Sequence, residues 1–194
     1  MSYDNEIIKK NLSYWKDFLV NYRLPKWEDI PDIGLYMEQV LVLLKQYLDY
    51  LPPELKDEQF ITAATINNYV NKKFMPKPYK KRYYRIHIAY MIMICTLKHS
   101  MSISMLQKLI PNNISEEEVK RIYDSYAKRH KLAAEYFIEQ VQMIAGPLLY
   151  DEDPSHQIAV DAAEDLITES AVISALSRLL AEKLLLLEEK NGDI

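Results

Sequence analysis

Apolar residues recur along this chain at intervals of three and four, the spacing that lines one side of an α-helix, and the pattern predicts helix almost throughout. Residues 5–21 place Ile7, Ile8, Leu12, Trp15, Phe18 and Leu19 on one stripe before Pro25 closes the element. The following PKWEDIPDIG is broken by proline and reads as a connection. Residues 35–48 (LYMEQVLVLLKQYL) predict a largely buried second helix, which Pro52 and Pro53 stop. A linker over 51–61 leads to ITAATINNYVNKK. There Thr62 is the candidate N-cap, and Ala63, Ile66 and Val70 share a face opposite Thr65, Asn68 and Lys72.

Pro76 and Pro78 exclude helix from FMPKPYKKRYYR, where Tyr79, Tyr83 and Tyr84 alternate with cations as in a short extended hairpin. Residues 86–99 (IHIAYMIMICTLKH) are apolar nearly all round, which predicts a central buried helix whose methionines are core. A short helix follows from Ser102 to Pro111. The clearest helix start is ISEEEV, with Ser115 as N-cap, Glu118 completing a capping box, and Ile114 with Val119 as a hydrophobic staple. That helix is expected over 116–144, ended by Gly146 and Pro147. Beyond the acidic YDEDPSH, a last helix is expected over 157–189. Its stripe of Leu166, Ile173, Leu176, Leu179, Leu180, Leu184 and Leu187 is widened by Val172, Leu185 and Leu186. That width exceeds a single seam and predicts a homodimer.

With 3 glycines in 194 residues and 49% hydrophobic content, the composition agrees with a packed all-α protein. The elements divide the chain into residues 1–112, whose core region is 60–110, and a helical half, 113–194, with two long helices for dimerisation or sensing. Charge sharpens that division. The formal net charge of −4 hides a segment, 59–115, that contains no acid and carries nine bases. Residues 1–58 are net −4 and residues 116–194 net −9. Positive charge confined in this way suits a surface for a polyanion.

Other chemistry is excluded more readily than found. The lone Cys95 lies in an apolar run and reads as a structural thiol, with no internal disulfide available. His87, His99, His130 and His156 are scattered, so neither a metal nor any other cofactor is expected. Gly34, Gly146 and Gly192 are isolated and form no phosphate-cradling loop, and no nucleophile stands in a recognisable setting, so the protein is not expected to be an enzyme. The start MSYDNEIIKK has no basic segment followed by an apolar core, and the longest apolar run, 88–95, is too short to cross a bilayer. A cytoplasmic location without membrane contact is therefore expected. Tyr123, Tyr126, Tyr136 and Phe137 could line a pocket for a small-molecule effector, although nothing in the sequence identifies one.

These features lead to double-stranded DNA as the expected partner. A recognition helix over 62–73 would offer Thr62, Thr65, Asn67, Asn68, Lys72 and Lys73, with Thr65, Asn68 and Lys72 toward the major groove. A basic wing over 76–85 would set Lys77, Lys80, Lys81, Arg82 and Arg85 on phosphates, with Tyr79 and Tyr84 bracing or stacking. The alternative is a non-enzymatic adaptor whose basic loop grips an acidic protein.

Residues 65–69, TINNY, followed by Pro76, Arg82 with Tyr84, the buried run 88–97 and the short helix 102–110, resemble the MerR-type winged helix-turn-helix. That resemblance implies a recognition helix, a short β-wing and a role in transcription regulation. Asn67 stands where MerR-like proteins carry a phosphate-binding arginine, and Asn68 where they carry a tyrosine. The INNYV, KP and YYR pattern also resembles a bacterial family known as domain of unknown function 1836.

Overall fold

The computed structural model describes residues 10, 13, 16–17, 20–49, 61–98, 100–150, 172–174 and 177–178, without the side chains of 103 and 142–150. The elements bounded among the described residues are a 3-10 turn, Trp27–Asp29, and the helices α1 Met37–Tyr47, α2 Ala63–Asn71, α3 Arg85–Leu97, α4 Ile103–Leu109 and α5 Glu116–Tyr150. The fold is all-α. Among the described residues no strand forms, and β pairing is limited to two isolated bridges, Leu35 with Tyr83 and Tyr79 with Arg82. The residues described between 10 and 21 are helical, but the apolar stripe expected there lies outside the described residues. So does the linker over 51–60, together with all of the last helix except 172–174 and 177–178, which are helical.

Helix α3 is the axis of the core because it is apolar on every side. Each side chain from 87 to 95 is buried, with α1 and α5 packed against it. Burying a residue such as Ile88 or Ile92 stabilises by roughly 1.5–3 kcal/mol. Its polar atoms find partners inside: the Tyr90 hydroxyl donates to Pro111 O at 2.7 Å, and Thr96 donates back to Ile92 O at 2.9 Å. Helix α1 is less buried than its composition suggests. Val40 and Leu44 enter the core while Val42 remains exposed, since α1 packs through one side only.

Helix α5 begins as the sequence predicts. Glu118 N–H donates to Ser115 Oγ at 3.3 Å, and Ser115 N–H donates to Glu118 Oε2 at 3.1 Å, so two orphan donors are satisfied reciprocally. The serine hydrogen bonds hold the Glu118 carboxyl below its usual range. The helix does not end at Ile144, however, but continues through Gly146 and Pro147 to Tyr150. Proline keeps a helical φ and removes one hydrogen bond, a local penalty that a helix of 35 residues absorbs near its end. Val119 and Tyr123, in its first turns, belong to the same core as α3. Farther along, Leu132, Tyr136 and Phe137 are exposed. Of the four aromatics considered for an effector pocket, Tyr123 is buried in the core, Tyr126 packs partly buried against it, and Tyr136 and Phe137 are exposed.

Residues 22–36, of which 25–34 read as a connection, form a strap across the core. Leu24, Trp27, Ile30 and Leu35 are buried. The strap offers backbone carbonyls to distant side chains: Pro25 O accepts from the Tyr123 hydroxyl at 2.8 Å, and Ile30 O from Arg85 Nε at 2.8 Å. No helix among the described residues is long and apolar enough to cross a membrane.

Candidate nucleic-acid interface

Helix α2 starts at Thr62, whose Oγ1 accepts the Thr65 N–H at 3.2 Å, the side-chain cap that the sequence predicts. The two threonine hydroxyls also lie 2.9 Å apart, so Thr65 turns its oxygen toward the cap and is half-buried. Ile66 and Tyr69 dock into the core. That register leaves Ala64, Asn67, Asn68 and Asn71 exposed. Asn71 was missed by sequence reasoning, although its place one turn after Asn67 puts it on the same side.

The end of α2 is unusual. Phe74 N–H reaches back to Tyr69 O at 2.9 Å and Lys73 N–H to Val70 O at 3.1 Å, while the Tyr69 and Phe74 rings meet with centroids 6.2 Å apart. This is a Schellman motif with its accompanying apolar contact. Its left-handed position is held not by glycine but by Lys73, at φ 59°. Asn112 Nδ2 donates to Lys73 O at 2.8 Å and helps fix that backbone. Lys72 and Lys73 are both exposed.

The hairpin repeats the device. Lys80 and Lys81 have φ of 48° and 62°, and Arg82 N–H closes the turn on Tyr79 O at 2.9 Å. Positive φ at both central residues defines a type I′ turn, a geometry that favours Asn-Gly. Here two lysines occupy it, both exposed at the tip, with Lys80 Nζ 5.2 Å from the Tyr79 ring centroid.

The base of the hairpin is held from two sides. Leu35 and Tyr83 exchange backbone hydrogen bonds of 2.8 and 2.9 Å, which ties the strap to the hairpin. Gly34 makes that approach possible, because a Cβ there would lie 2.8 Å from Arg82 Cδ and 3.1 Å from Tyr84 Cζ. On the other side, buried His87 accepts the Tyr84 N–H at Nδ1 (3.0 Å), leaving Nε2 to donate to Lys77 O at 3.2 Å. Burial pushes the His87 pKa down, in keeping with a neutral ring.

Arg82 and Arg85 differ from the lysines. Arg82 donates to Gly34 O at 3.2 Å and to the Tyr36 hydroxyl at 2.9 Å, with its guanidinium 4.6 Å from the centre of the Tyr36 ring. Arg85 bonds Ile30 O and lies 5.9 Å from the Trp27 ring. Both bases brace the strap, although Arg82 stays exposed. Tyr84 is half-buried as the N-cap residue of α3, while Tyr79 is exposed. Lys72, Lys73, Lys77, Lys80 and Lys81 are all exposed, and no carboxylate pairs with any of them among the described residues. Among the described residues, Lys120 pairs with Glu28 at 2.8 Å, away from these lysines.

The family model described as domain of unknown function (DUF1836) matches residues 25–126. The chain belongs to this family. Among curated proteins and solved structures, none matches it. The DUF1836 match takes in the strap from Pro25 onward, α1 to α4 with the hairpin, and the first turns of α5, which carry Val119 and Tyr123 into the core. Cys95 is wholly buried among these elements and its thiol is pushed up to about 12, which marks it as packing.

Proposed function

We propose that the DUF1836 domain binds double-stranded DNA as a MerR-like winged helix-turn-helix, with α2 as recognition helix and the 79–82 hairpin as wing. One observation carries this reading: five exposed lysines without carboxylate partners among the described residues, two of them held in left-handed conformation at a hairpin tip. Non-glycine residues in that conformation are strained by roughly 1–2 kcal/mol each, and such strain persists where function requires the side chain. A lysine at the tip of a projecting turn meets a phosphate without desolvating anything else, so it supplies affinity and salt dependence rather than sequence choice. The protein would act as a homodimeric transcription regulator in the cytoplasm, its 113–194 half joining the protomers.

The test is fluorescence anisotropy of the full chain on random-sequence duplex across a salt series. About four to six phosphate contacts per dimer give a log–log slope of about −4 to −5. Lys80→Ala/Lys81→Ala is expected to flatten that slope by about 1 for each phosphate that is no longer neutralised. Failure to bind duplex even at low salt refutes the proposal and leaves capture of an acidic protein by the same lysines as the function to pursue.

A further inference from the structure

The exposed side of α2 has a composition of its own. At about 100° of rotation per residue, Asn67, Asn71, Ala64 and Asn68 fall in that order within an arc of about 100°. All four are exposed. None of the three carboxamides is bonded by another described residue, so each keeps a full donor–acceptor pair for a ligand. Lys72 borders this arc, and no other charge lies within it.

The two side-chain types read one kind of base pair. A carboxamide can bond adenine bidentately through N6 and N7 in the major groove, whereas guanine, which offers two acceptors there, calls for arginine or lysine. Alanine adds an apolar contact suited to the thymine methyl, and its small size lets the helix approach closely. Arg82 and Arg85, the only arginines of the acid-free segment, are turned to the strap.

We infer that α2 reads A·T base pairs in the major groove, with Asn67, Asn68 and Asn71 on adenine edges and Ala64 against a thymine methyl. This inference rests on the DNA-binding reading and adds the class of sequence bound. Because alanine is the better helix former, replacing exposed asparagines leaves the helix intact.

The experiment is repeated selection of the full chain on duplexes with a randomised centre, followed by anisotropy on the enriched duplex. Enrichment of A·T pairs is expected. Replacing the selected adenines by 7-deazaadenine, which lacks the N7 acceptor, is expected to weaken binding about tenfold for each adenine deprived of its bidentate pairing. Asn67→Ala/Asn68→Ala/Asn71→Ala is expected to abolish the preference for the enriched duplex over random duplex. Enrichment of guanine, binding without base preference, or a preference that survives in the triple variant overturns the inference while leaving DNA binding in place. Absence of binding to every duplex overturns the DNA-binding reading itself.

Discussion

Replacing Lys80-Lys81 by Asn-Gly is expected to raise stability and lower DNA affinity together. Both lysines have positive φ, 48° and 62°, at the centre of a two-residue turn. The left-handed conformation strains an L-residue by roughly 1–2 kcal/mol, and asparagine relieves part of this while glycine relieves it fully. Glycine returns roughly 0.5–1 kcal/mol through the greater freedom of the unfolded chain. The pair of substitutions should therefore stabilise by about 1–2 kcal/mol, and in a chain of this size about 1 kcal/mol corresponds to about 2–4 °C in Tm. Two exposed charges disappear in the same step, so the salt dependence of duplex binding should flatten as for the alanine variant.

Thermal denaturation followed by circular dichroism, with anisotropy on the same sample, reads both quantities. An ordinary surface loop would give no change in Tm. A Tm that stays level or falls refutes the assignment of a strained type I′ turn. A Tm that rises while affinity holds refutes the role given to the lysines, because the strain would then have no use at this site.

Three further outcomes follow from the geometry around that turn. Burial lowers the pKa of His87 and of His130 from 6.5, so the unfolded chain takes up these protons first. Stability is full above about pH 6.5 and is lost as pH falls below it toward the folded pKa values; urea midpoints at pH 7.5 and 5.5 should fall accordingly, and less steeply in His87→Gln. Gly34→Ala puts a Cβ 2.8 Å from Arg82 Cδ and 3.0 Å from its Cβ, and should destabilise by about 1–3 kcal/mol in chemical denaturation. Ser115→Ala removes the acceptor for Glu118 N–H at the start of α5 and should lower stability by about 1 kcal/mol, read as a shifted urea midpoint with unchanged slope.

What the sequence revealed was local. The all-round apolar run that became α3, the capping box of Ser115 with Glu118, and the Thr62 cap each depend on residues within a few positions, so spacing alone disclosed them. The strap depends instead on carbonyls: Pro25 O and Ile30 O accept from Tyr123 and Arg85, 98 and 55 residues away. Backbone carbonyls carry no sequence signal. The left-handed lysines were hidden for a different reason. Turn and cap rules look for glycine or asparagine at such positions, and Lys73, Lys80 and Lys81 break them. On α2 the error was one of register. Placing Tyr69 in the core half-buries Thr65 and exposes Asn71, which a stripe drawn through Ala63, Ile66 and Val70 does not anticipate.

Sequence also could not separate the bases of the 72–85 segment into two groups, and side-chain chemistry explains why the structure does. A guanidinium is planar and rigidly forked, so it can donate to a carbonyl or hydroxyl while lying on an aromatic face, as Arg82 does with Gly34 and Tyr36 and Arg85 with Ile30 and Trp27. An ammonium on a flexible stem makes a poorer brace and a better mobile point charge; Lys80 and Lys81 occupy the tip, and Lys72 and Lys73 the helix end. Removing an arginine here would loosen the strap and change the charge together, so any loss of binding would have two causes. Removing Lys80 or Lys81 leaves every observed brace in place, and for that reason the lysines are the residues on which DNA binding can be judged.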